Sequence, residues 1–150
     1  QPYKRELIYV DALTGNIVTS IDKICEINVE GTAKTKYLGI QKITTDSVEI
    51  NKFILRDHTR GNGVITLNSR SMNDPSLNVD FTDTDNLWDN KNNQKDEIAT
   101  DAHFGAMKTY DYYKLFHNRK SIDDKDYNLI SQVHFLLNYN NFQKQQYHLL

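Results

Sequence analysis

The 150-residue chain has a single cysteine, Cys25, so no disulfide closes within it and no thiolate cluster holds a metal. Apolar runs stop at about four residues, as in Leu7 to Val10, far short of the roughly 20 that span a bilayer. Charge of one sign is also missing. The 18 Lys and Arg against 20 Asp and Glu leave a formal net charge of -2, which excludes a strongly basic nucleic-acid binder. Gln1-Pro2-Tyr3-Lys4 has no initiator Met and no apolar leader, so the chain reads as starting inside a longer precursor. What remains is 38% hydrophobic, 11% aromatic and 25% charged, enough apolar material for one modest core.

Catalytic arrangements are equally scarce. No Gly-x-Ser-x-Gly, phosphate-cradling glycine loop or His-Glu-x-x-His occurs. The five histidines, His58, His103, His117, His134 and His148, include no pair three or four apart. His103 and His117 fall on one helix, but fourteen residues at 1.5 Å each separate them by roughly 21 Å, too far to share a metal. Core or capping roles are expected for all five, with His117 as the charge at a helix C-terminus. Tyr110, Tyr112 and Tyr113, in a chain of net charge -2, read as helix packing rather than base stacking.

Leu7-Ile8-Tyr9-Val10 and Ile17 to Ile21, joined through Gly15-Asn16, predict a hairpin. The pattern loosens between about residues 24 and 33, the expected module boundary. Strand-like runs resume at Lys36 to Ile43, Val48 to Leu55 and Gly63 to Leu67, with turns expected at Thr45-Asp46 and Gly61-Asn62-Gly63. Residues 68 to 95, rich in Asn and Asp, read as a long surface loop. From Asp96 to His117 the period is helical, with Ile98, Ala102, Ala106 or Gly105, Thr109, Tyr113 and Phe116 on the expected buried side and Asn93 as the expected cap. A last strand is expected over Ile130 to Leu137.

Asp80, Asp83, Asp85 and Asp89 fall within ten residues, and Asp83 and Asp85 project to one side of an extended backbone. An oxygen-only cluster suits a hard cation, calcium first, and a solvated acidic loop fits as well. An EF-hand does not: with Asp83 at position 1, Trp88 takes the glycine position and Gln94 the bidentate glutamate position.

Arg56-Asp57-His58-Thr59-Arg60-Gly61-Asn62-Gly63 resembles the Asp-x-Thr-Arg-Gly-Asn-Gly turn of thermolysin-like secreted zinc metalloendopeptidases. Asp83-Thr84-Asp85-Asn86 is similar to that family's acidic loop. Thr100-Asp101-Ala102-His103-Phe104, Thr109 to Lys114 and His117-Asn118-Arg119 are similar to its first long helix, and Val133-His134-Phe135 with Asn138 to Asn141 continues the likeness. Ile8 to Ile17 resembles the last propeptide hairpin. The likeness runs in order from about residue 7 to residue 141, nearly the whole chain.

The resemblance implies an α+β fold: a mainly antiparallel, β-rich N-terminal peptidase domain with one long helix over residues 28–150, preceded by a propeptide hairpin over residues 1–27. It implies a structural calcium on the carboxylates of Asp83 and Asp85 and the backbone carbonyl of Leu87, and Asn141 as the residue that holds the backbone of a bound peptide. It further implies a secreted monomer acting on protein or peptide substrates through zinc in the full-length enzyme, with no nucleic-acid or membrane partner. Phe142-Gln143-Lys144 departs from the family's Asn-Ala-Phe-Trp segment, and the zinc helix does not follow. The expectation is an amino-terminal fragment, inert alone, whose tail from Gln143 reads as a frameshift, a truncation or a natural variant. A non-catalytic, calcium-stabilised binding or inhibitory module derived from such a protease is the alternative.

Overall fold

The computed structural model describes residues 6–22, 27–89 and 94–135. Cys25, Asn93, Asn141, His148 and the tail from Gln143 lie outside the described residues. Along the chain run β1 (Glu6–Val10), β2 (Ile17–Asp22), β3 (Ile27–Thr35), β4 (Gly39–Glu49), β5 (Lys52–Ile54), β6 (Arg56–Asp57), β7 (Val64–Asn68), β8 (Val79–Asp80), β9 (Thr82–Asp83), β10 (Leu87–Trp88), α1 (Glu97–His117) and β11 (Leu129–Val133). The fold is α+β, as the sequence predicts.

β1 and β2 form a two-stranded antiparallel sheet. Its loop is closed by the Asp11 carboxylate, which accepts the Leu13 and Thr14 N–H groups, and by Gly15 at φ +71°. The other strands form a five-stranded sheet, β10-β3-β4-β5-β9, and a second sheet ordered β11-β7-β6 with β8 added on β7. Most pairs are antiparallel; β10·β3 and β11·β7 are parallel.

α1 packs against strands of both sheets, chiefly β7, β3 and β11. Ala99, Ala102 and Ala106 make a small-residue stripe that lets the helix approach closely, with Met107 and Tyr110 extending it. Trp88, Phe81, Leu55 and Val64, each fully buried, fill the space beneath. At the helix end Asn118 takes the left-handed conformation (φ 49°) and its N–H donates to the Tyr113 carbonyl, while Lys114 places positive charge in the last turn, where the carbonyls point out.

Several expectations are overturned. Residues 27–33, expected to lack regular structure, lie in an unbroken strand from Ile27 to Thr35, and Lys36–Leu38 is the turn after it rather than the start of the next strand. Thr45 and Asp46 lie in the middle of β4 with no exposure, because remote side chains receive them; the reversal falls at Ile50-Asn51, with Asn51 at φ 56°. Residues 68 to 95 are not one loop but carry three short strands and a 3-10 turn at Pro75–Leu77. The residue capping α1 is Asp96, which carries no side-chain cap bond. Thr109, Tyr113 and Phe116 are exposed: the buried face is rotated toward the alanines, Thr100 and His103. The last strand ends at Val133, where His134 turns out of line at φ 57°.

Candidate functional site

The Arg56 to Gly63 segment is a structural lock. Asp57 is fully buried; one of its oxygens accepts Thr59 N–H (2.8 Å) and Thr59 Oγ1 (2.5 Å), and the other accepts Arg60 Nη1. Arg60 reaches across to α1 and grips Asp111 with two parallel bonds, Nε to Oδ1 at 2.8 Å and Nη2 to Oδ2 at 2.9 Å. Burial works against the Arg60 charge, but Asp111 and Asp57 outweigh it and raise the guanidinium above its usual pKa. Gly61 (φ 58°) sits where a Cβ would come within 3.1 Å of the Asp126 carbonyl and 3.2 Å of the Tyr110 ring. Tyr110 donates to Asp126 Oδ1 (2.7 Å), and burial, then that carboxylate, push its phenol up to about 12.

The four described histidines hold structural positions. His103 is fully buried between Thr66 Oγ1 (3.0 Å from Nδ1) and the Thr44 carbonyl (2.9 Å from Nε2). His58 Nε2 lies 3.4 Å from the buried Asp46 carboxylate. His134 meets Asn68 and the edge of Phe81, and His117 stacks among Tyr112 and Tyr113 at the exposed helix end. Among the described residues no three His, Cys, Asp or Glu side chains come together as metal ligands. These residues do not fit zinc.

The acidic loop has a different character. Asp80 is drawn away from it, paired with Arg56 through two bonds of 2.9 and 3.1 Å. Asp83, the last residue of β9, and Asp85, on the loop to β10, are linked by consecutive turns: Asp83 Oδ1 accepts the Asp85 N–H (3.0 Å), and Asp85 Oδ1 accepts the Leu87 N–H (2.9 Å). Burial first, then the neighbouring Asp85 carboxyl and its charge, hold the Asp83 carboxyl above its ordinary value, against the lowering effect of the Asp85 N–H. Two neighbouring carboxyls, Asp83 partly buried and Asp85 exposed, form an oxygen pair whose repulsion a hard divalent cation relieves. The residues fit calcium in that chemical sense.

One residue of this loop has contacts that the acidic motif does not foretell. Asn86, left-handed at φ 61°, turns its amide inward. Its Oδ1 accepts from Thr45 Oγ1 (2.9 Å) and Trp88 Nε1 (3.0 Å), its Nδ2 donates to the Glu30 carbonyl (3.2 Å), and its own carbonyl accepts the Thr32 N–H (3.1 Å). A Cβ on Gly31 would lie 2.4 Å from Asn86 Oδ1.

Comparison with known proteins places this architecture. The family described as thermolysin metallopeptidase, catalytic domain, matches residues 30–147. A bacillolysin of Brevibacillus brevis is 32% identical over 139 residues, 91% of this chain and 24% of that protein. A bacillolysin of Bacillus cereus is 38% identical over 114 residues, 76% of this chain and 19% of that protein. A transglutaminase-activating metalloprotease of Streptomyces mobaraensis is 32% identical over 136 residues, 89% of this chain and 17% of that protein. The chain thus spans a quarter or less of the length of these relatives. With the match running through the five-stranded sheet, the Arg60 lock, the long helix and β11, the chain belongs to the thermolysin metallopeptidase family.

Proposed function

We propose that this chain supplies the amino-terminal, β-rich part of the catalytic domain of a secreted zinc-dependent endopeptidase that hydrolyses peptide bonds in proteins. The observation that carries the reading is the family match over residues 30–147, on an α+β scaffold with one long helix. Residues 1–27 are the end of a propeptide; the family match beginning at residue 30 and the separate sheet of β1 and β2 support that division. Asp83, Asp85 and the Leu87 carbonyl hold a structural calcium, and Asn141 lines the edge of the substrate cleft. In the whole enzyme zinc polarises the scissile carbonyl and lowers the pKa of a bound water. Within these 150 residues the task is to build and brace one wall of the cleft, since they contain no His-Glu-x-x-His.

Two assays test this. The 150-residue chain incubated with casein shows background hydrolysis with or without zinc, and zinc-dependent turnover overturns the assignment of its role. The gene read beyond the Leu150 codon encodes a His-Glu-x-x-His in one of its frames, and the protein carrying it loses casein hydrolysis to a zinc chelator. A remnant-free downstream sequence defeats the protease reading.

A further inference from the structure

The acidic loop joins the two outer strands of one sheet. β9 and β10 stand at opposite ends of the order β10-β3-β4-β5-β9. In a flat sheet four strand spacings separate them by about 19 Å. The four residue steps from Asp83 to Leu87 reach at most about 14 Å. The sheet therefore curls, and the loop staples its edges together across β3, β4 and β5. Repulsion between Asp83 and Asp85 works to open the staple, and the Asn86 amide opposes it by tying the loop to Glu30, Thr45 and Trp88 at once.

We propose that Asn86 is the positioning residue of the calcium loop: its amide, seated in the space left by the missing Cβ of Gly31, fixes the spacing of the Asp83 and Asp85 carboxylates. Cation binding and closure of the curled sheet are then one coupled equilibrium. The cation draws the carboxylates together, and the seated amide has already brought them there, so less ordering remains at the moment of binding. The inference rests on the calcium reading above.

The test uses the whole 150-residue chain and terbium as the probe. Trp88, the only tryptophan, adjoins the loop and donates to Asn86, so it sensitises terbium bound there. Calcium affinity follows from competition. Asn86→Gly keeps the left-handed backbone and removes only the amide, and Gly31→Ala fills its seat; each weakens calcium about tenfold, the scale of one or two lost hydrogen bonds. Thr45→Val, which removes one contact of the Asn86 amide together with the longer bond from Thr45 to the Val29 carbonyl, weakens it roughly threefold and keeps the test open if the stronger variants do not fold. Affinities of Asn86→Gly and Thr45→Val within about twofold of the parent overturn the proposal, even if their melting temperatures fall. Failure of the calcium reading looks different: the parent gives no saturable signal, or the signal survives Asp83→Ala/Asp85→Ala. In that case both fall.

Discussion

Arg60 and Asp111 are joined by two parallel hydrogen bonds across 51 residues of sequence, and the same guanidinium covers the fully buried Asp57. The turn between β6 and β7 and the middle of α1 are thereby fixed to each other. Planar bidentate geometry is what arginine supplies and lysine does not.

Arg60→Ala is expected to cost about 3 to 5 kcal/mol, because removing one partner leaves the Asp57 carboxylate buried without its charge partner. Asp111, on the more exposed side, contributes the smaller share: Asp111→Ala costs about 1 kcal/mol. Urea midpoints measure both. An Arg60→Ala loss under about 1 kcal/mol would show that solvent screens the whole network.

Parts of this architecture were legible in the sequence and parts were not, for physical reasons. The Gly61-Asn62-Gly63 turn, the hairpin through Gly15 and the long helix are local features, readable from backbone freedom and period. Thr45 and Asp46 look like a turn because two polar residues in a strand are normally exposed. Their partners, Asn86 for Thr45 and His58 for Asp46, are invisible until the chain has folded. The helix face was misjudged for a related reason. Aromatic Tyr113 and Phe116 attract a hydrophobic reading, while the buried face uses Thr100 and His103, which enter the core only because Glu97, Thr66 and Thr44 satisfy their polar atoms. Asp83 and Asp85 could be singled out by spacing, but the residue that holds them, Asn86, could not.

That rotated face yields a contrast. Met107 is 3% exposed, so Met107→Ala costs about 2 to 5 kcal/mol through the cavity it leaves. Leu115 and Phe116, 77% and 68% exposed, sit on the opposite side, and Leu115→Ser or Phe116→Ser shifts stability by no more than about 0.5 kcal/mol. Thermal denaturation of the three variants decides it; a Phe116→Ser loss comparable to that of Met107→Ala would return the buried face to the aromatics.

Calcium is expected to raise the unfolding temperature of the chain. At one hundred times the dissociation constant the gain is about 2.7 kcal/mol, and it grows logarithmically with concentration. Asp83→Ala/Asp85→Ala abolishes the gain, and magnesium, which demands a smaller octahedral shell, gives less of it. Scanning calorimetry with and without chelator reads the effect, and a calcium-independent melt of the parent refutes the site.

Stability should also fall on acidification through a single buried ring. His103 is wholly enclosed, and burial lowers its pKa from 6.5 to about 4, the Thr44 carbonyl and Asp57 pulling the other way and Arg60 adding to the depression. The folded protein therefore keeps this ring neutral where the unfolded chain protonates it. Below the unfolded value the unfolded state binds more protons, so stability present above about pH 6.5 is progressively lost down to about pH 4. The span corresponds to about 3 kcal/mol at most. His134, also lowered by burial, adds a contribution of the same sign. Urea midpoints between pH 7 and pH 4 should drop more steeply in the parent than in His103→Gln, which retains polar atoms for Thr66 and Thr44 but cannot titrate. Parallel curves for the two proteins would mean that the ring takes up its proton without leaving the core.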